Sequence, residues 1–114
     1  MAYDLNLAAR IRDGLDGTPD LTEKKMFGGI GWMIGGNMAC GCHNDGQMMV
    51  RCSKENHEAY AADAGAGALQ RGGKGMVGWI LVNQETVATD EGLSKWIGRG
   101  KAFASALPPK KKKK

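Results

Sequence analysis

Apolar side chains recur along this chain in two rhythms, one helical and one alternating. Leu5, Ala8, Ile11 and Leu15 fall on one helical stripe, with Asp4 placed to cap its start and Gly14 and Gly17 to end it, which predicts an amphipathic helix over 4–15. From Lys25 to Ile34 the pattern alternates: Ile30, Trp32 and Ile34 share one face, Phe27 and Met33 the other, as in a strand. Gly35-Gly36-Asn37 then makes a tight turn, and residues 37–43 and 47–53 read as two more strands around Asn44-Asp45-Gly46, whose residue types tolerate positive φ. Three consecutive strands form a meander.

Behind Ser53, a candidate N-cap, Lys54 to Ala62 holds helix formers, and the Gly/Ala-rich run from Asp63 to Gly75 reads as a loop with at most one short edge strand. Met76 to Asn83 is a β-rich run that is apolar on both faces. Leu93, Trp96, Ile97, Gly100, Phe103 and Leu107 recur at helical spacing between an acidic first turn, Asp90-Glu91, and the terminator Pro108-Pro109. The order α-β-β-β-α-β-α implies an α+β fold, a two-layer sandwich of antiparallel strands with helices on one face. Val77, Trp79 and Leu81 then point away from Ile80 and Val82, so a second apolar sheet face needs a cover. A homodimer is one expectation for it, and the 63–75 loop folding over it is the other.

The chain has 114 residues and 12.1 kDa, enough for one domain with its own core, assigned here to residues 1–109. Its 18 glycines are about twice the usual share, so the backbone turns sharply in several places. The net charge of +4 suggests a nucleic-acid binder until the charges are located. Five of the 16 cations are Lys110, Lys111, Lys112, Lys113 and Lys114, which leaves 11 basic against 12 acidic groups in residues 1–109. That pentalysine tail is expected to be disordered and to attract nucleic acid weakly, without sequence preference and with strong salt dependence. Asp4, Arg10 and Arg12 interrupt any secretory h-region, and no apolar run approaches the roughly 20 residues of a membrane span, so no membrane association is expected. Three cysteines without a CxxC spacing fit free thiols in the cytoplasm.

Cys40-Gly41-Cys42-His43, with Cys52 and His57, offers the side chains zinc prefers. Strand alternation turns Cys40 and Cys42 to one face and His43 to the other, which argues for structural thiols and no metal. Cys52 joins that face if the hairpin pairs it with Met38, and leaves it if the partner is Ala39. A thiol nucleophile, Cys42 or Cys52 with His43 or His57, needs a hydrogen-bonded base that sequence does not reveal; His57, in the polar stretch Glu55-Asn56-His57-Glu58, reads as solvated. Gly72-Gly73-Lys74-Gly75 lacks the Ser/Thr and first glycine of a P-loop, and Gly29-Ile30-Gly31 has Ile34 where a dinucleotide fingerprint needs glycine. Arg51, between Val50 and Cys52, is a candidate anchor for an anion or protein partner, with an ordinary ion pair to Glu55 or Glu58 as the alternative; Lys24 and Lys25 are further contact candidates. Trp32, Trp79 and Trp96 read as core.

Lys24-Lys25-Met26-Phe27-Gly28-Gly29, Gly36-Asn37-Met38, Met49-Val50-Arg51-Cys52, Gly78-Trp79, and a Trp96 helix running into Leu107-Pro108-Pro109 give the chain a resemblance to the TfoX/Sxy N-terminal domain family over about residues 3–109. The resemblance implies a small α+β domain of secretion-chaperone-like arrangement. It also implies a role in competence regulation, exerted with the transcription machinery, and brings no catalytic residues and no cofactor. The expected function is a non-enzymatic regulatory or adaptor domain acting through protein contacts. The alternative is a small-molecule-binding or thiol-dependent protein using the Cys40/Cys42/Cys52 hairpin.

Overall fold

A computed structural model describes residues 4–26, 28–43, 46–63, 65–71 and 74–107. Helix α1 (Leu5–Leu15) starts where the Asp4 carboxylate accepts the Asn6 and Leu7 N–H groups at 2.9 and 3.1 Å, two of the donors a helix start leaves without partners. Its buried stripe is Leu7, Ala8, Ile11 and Leu15, while Leu5 is 72% exposed. Leu5 and Leu7 flank the stripe on opposite sides, and the core takes the Leu7 side.

Four strands follow: β1 (Leu21–Met26), β2 (Gly29–Ile34), β3 (Asn37–Cys42) and β4 (Met48–Arg51). After α2 (Lys54–Ala61), β5 (Ala66–Arg71) and β6 (Lys74–Val82) complete a sheet of six antiparallel strands in the order β1-β2-β3-β4-β6-β5. The short α3 (Gln84–Val87) and the long α4 (Asp90–Ala106) close the chain, capped by Asn83 and Thr89.

The α+β class and the β2-β3-β4 meander match the sequence pattern, and one strand corrects it. Leu21–Met26 is a strand of its own, hidden because an edge strand rich in Thr, Glu and Lys has no apolar alternation to read. Ala66–Arg71 is the short edge strand that the Gly/Ala-rich stretch allowed, since backbone pairing to β6 needs no large side chains. β5 therefore extends the sheet in its plane and does not fold over the second face.

Register builds the core row by row. Ile30, Cys42, Met48 and Val82 pair across four strands, as do Trp32, Cys40, Val50 and Ile80, and every one of these residues is buried. Cys40 pairs with Val50 and Cys42 with Met48, the hairpin register of the three-residue loop, and Cys52, two residues beyond Val50, is buried on the same face, so all three thiols share it. Leu93, Trp96, Ile97 and Ala104 of α4 cover that face together with α1 and α2. α4 approaches the sheet at Gly100, where a Cβ would press on the Ala39 carbonyl.

Candidate functional site

Gly78 organises the most chemically loaded corner of the molecule. Its φ of +89° lies where only glycine is comfortable, and its peptide groups hold three other residues. The Gly78 N–H donates to His57 Nδ1 at 3.0 Å, and its carbonyl accepts both the Cys52 N–H and Arg51 Nε at 3.0 Å. His57 is thus a half-buried acceptor and not a solvated side chain, because helix α2 lies directly against β6.

Arg51 is held by two rings as well. Its guanidinium carbon is 4.2 Å from the Trp79 centroid and 5.0 Å from that of Phe103. Burial pulls its pKa down from the ordinary arginine value, though an arginine remains charged. Among the described residues no carboxylate pairs with it, so the expected alternative, Glu55 or Glu58, is not its partner. Trp32 and Trp96 are core, whereas Trp79 is half-buried against Arg51.

A second stacked arginine lies nearby on α4. Arg99 rests 4.1 Å from the Tyr60 centroid and 4.5 Å from that of Trp96, and donates to Asp63 at 2.8 Å, a carboxylate shared with Lys95 at 3.0 Å. Between α2 and α4, above Cys52, is a cavity of about 160 Å³ lined by Ser53, Asn56, Tyr60, Arg99 and Phe103. Burial raises the Cys52 thiol pKa, while Arg51 and Arg99 draw it down. Arg99 and Tyr60 escaped the sequence reading, and Phe103 entered it only as part of the last helix's apolar stripe. The signal for Arg99 was helical spacing: Trp96 and Phe103 lie three residues before and four after it, on one side of α4.

The other candidates are scattered. Cys40 and Cys42 are fully buried, each pushed up to about 12, chiefly by burial. His43 is half-buried, and its N–H donates to the Gln47 carbonyl at 2.8 Å. Among the described residues no group of three or more His, Cys, Asp or Glu is arranged to hold a metal ion. Lys24 and Lys25 lie exposed on β1, three strands from Arg51, or roughly 14 Å across the sheet. Lys110 to Lys114 fall outside the described residues.

The sheet face away from the helices is apolar. Lys24, Gly31, Gly41, Met49, Leu81 and Gly67 pair in one continuous cross-strand row. Met33, Met38 and Trp79 are half-buried.

Fold and site together define a small two-layer α+β domain with buried thiols, a second sheet face crossed by a half-buried apolar row and a cationic, aromatic corner. The chain belongs to the TfoX N-terminal domain family, whose description matches residues 13–104 of the 114. No curated protein and no solved structure matches it. Among the described residues no helix is long and apolar enough to cross a membrane.

Proposed function

We propose that this chain is a non-enzymatic regulatory or adaptor domain, of the competence- and transcription-linked kind its family is associated with, and that it works in the cytoplasm through protein contacts of its second sheet face. The row from Lys24 to Gly67 across six strands supports this reading. Strands ~4.8 Å apart and roughly five residues long give a face of about 500 Å² in projection, near the lower end of specific protein contacts.

A second copy of the chain is the occupant assigned to it. Met49 and Leu81 are half-buried partners on adjacent strands of this face, so a two-fold-related copy can set the same apolar pair against itself. Methionines adapt their shape to such a contact. In this reading the transcription machinery is the further protein partner, and Lys110–Lys114 add loose attraction to nucleic acid. A thiol-dependent role for Cys40, Cys42 and Cys52 has less support, because burial raises all three thiols and disfavours the reactive thiolate.

Sedimentation velocity of the full chain, from low micromolar to near-millimolar concentration, tests the proposal. Reversible dimerisation that Met49→Lys abolishes is the expected result. A wild-type chain that stays monomeric throughout, or a dimer untouched by Met49→Lys, overturns it.

A further inference from the structure

We propose that the corner formed by Arg51 and Arg99 is a binding site for a small, doubly charged oxyanion, best matched by a phosphate or phosphate monoester.

The first support is preorganisation. Arg51 is fixed by its Nε bond to the Gly78 carbonyl and by the Trp79 and Phe103 rings, and its Nη edge makes no bond to any described residue. A guanidinium held in this way presents two parallel N–H donors, the fork that matches two oxygens of a phosphate or carboxylate. Aromatic packing satisfies the cation's faces but leaves its hydrogen-bonding edge to a ligand or water.

Charge selects the class of ligand. Arg99 and Lys95 share the single carboxylate of Asp63, which leaves one positive charge over in that trio. Arg51 adds a second, since no described carboxylate opposes it. Arg99 lines the cavity, Arg51 touches its Phe103 wall, and both draw on the Cys52 thiol that also lines it, so the two cations together favour a dianion over a monocarboxylate.

Space is provided as well. Phe103 joins the two arginines: its ring contacts Arg51 and also lines the cavity of about 160 Å³ into which Arg99 faces. Ser53 and Asn56 supply polar groups at the rim, and Tyr60 an aromatic wall for the organic part of a monoester. Arg51 and Trp79 pair two rungs beyond Met49 and Leu81, so the site borders the end of the apolar row proposed for protein contact.

Thermal unfolding of the full chain in chloride buffer at fixed ionic strength, titrated with inorganic phosphate, phenyl phosphate or acetate, tests the assignment. The wild type should show a saturable rise in Tm with both phosphates and a much weaker one with acetate. Arg51→Gln should weaken phosphate binding by about tenfold or more, and Arg51→Lys, which keeps the charge but not the fork, by less. If Arg51→Gln lowers the starting Tm, Asn56→Asp replaces it: this exposed first-turn position of α2 tolerates an acid, whose charge at the cavity rim should abolish the phosphate response. No saturable rise in the wild type overturns the proposal. So does a rise that survives these variants, which would assign the binding to Lys110–Lys114, and so does acetate binding as tightly as phosphate.

Discussion

Arg51 and Trp79 face each other at the last rung of the β4–β6 ladder, and the arginine's guanidinium carbon lies 4.2 Å from the centroid of the indole ring. A cross-strand pair of this kind ties the end of one strand to its neighbour through side chains as well as backbone. Gly78, one residue before the tryptophan, accepts from Arg51 Nε, so the arginine is held at both its ring-facing surface and its inner nitrogen. A half-buried cation fixed in this way serves recognition better than a mobile surface arginine, because little side-chain freedom remains to be lost on binding.

Removing the indole should therefore cost both packing and cation–π attraction. Trp79→Leu is expected to destabilise the domain by about 1–3 kcal/mol, and Trp79→Phe by less, since a ring remains over the guanidinium. Urea unfolding midpoints of the two variants check this.

Two glycines of α4 predict opposite outcomes for the same substitution. At Gly100 a new Cβ would press on the Ala39 carbonyl and lie 3.5 Å from Cys40 Cβ, so Gly100→Ala should destabilise by about 1–3 kcal/mol despite its better helix propensity. Gly98, on the same helix, has no atom of another element within 4 Å of where a methyl group would sit. Gly98→Ala should stabilise by about 0.5–1 kcal/mol. Equal effects in a denaturant titration would contradict the close contact of α4 with β3.

The thiols predict a pH dependence. Cys40 and Cys42 titrate near 12 in the folded protein against 9.0 for a free thiol, chiefly because burial disfavours the thiolate. Above about pH 9 the unfolded chain releases these protons while the folded chain keeps them, so stability falls as pH rises from about 9 towards 12. Cys40→Ala with Cys42→Ala should flatten that fall. In the native state at pH 8 all three thiols should resist an aromatic disulfide reagent and react once urea unfolds the chain.

Glu23 makes the complementary case in acid. Its carboxylate takes a two-pronged contact from Arg12, at 2.7 and 3.1 Å, and accepts Trp32 Nε1 at 2.9 Å. The Arg12 hydrogen bond, helped by Trp32, holds its pKa below the ordinary 4.5 against some desolvation. This stabilisation is present above that ordinary value and is lost as pH falls through the depressed one. Glu23→Gln keeps an acceptor for Trp32 and should cost under about 1 kcal/mol at neutral pH, the range of exposed ion pairs. Glu23→Ala leaves the indole N–H unpaired and should cost more, about 1–3 kcal/mol. The Glu23→Gln deficit should shrink in acid, as measured by urea midpoints across pH.

Where burial wrote a pattern, the sequence could be read. Leu93, Trp96 and Ile97 marked α4, and Ile30, Trp32 and Ile34 marked β2, because each element buries one face. β1 and β5 are edge strands formed through backbone pairing, with charges along one and Gly/Ala along the other, so no side-chain rhythm announced them. Arg51 was recognisable as an odd charge between Val50 and Cys52. Its partnership with Trp79, Phe103 and Gly78 was not, because it arises from β4, β6 and α4 meeting at one corner. His57 illustrates the same limit: polar neighbours along the helix hid an acceptor for a backbone N–H 21 residues away.

Methionine oxidation read residue by residue tests the second sheet face most directly, because Met48 and Met49 are neighbours on opposite faces: Met48 is buried in the core, and Met49 belongs to the apolar row. With dilute hydrogen peroxide and peptide mass spectrometry, Met33, Met38 and Met49 should oxidise faster than Met48 at low protein concentration. Raising the concentration should then protect those three and leave Met48 unchanged. Rates at Met33, Met38 and Met49 that stay constant up to near-millimolar protein would contradict a second copy on this face.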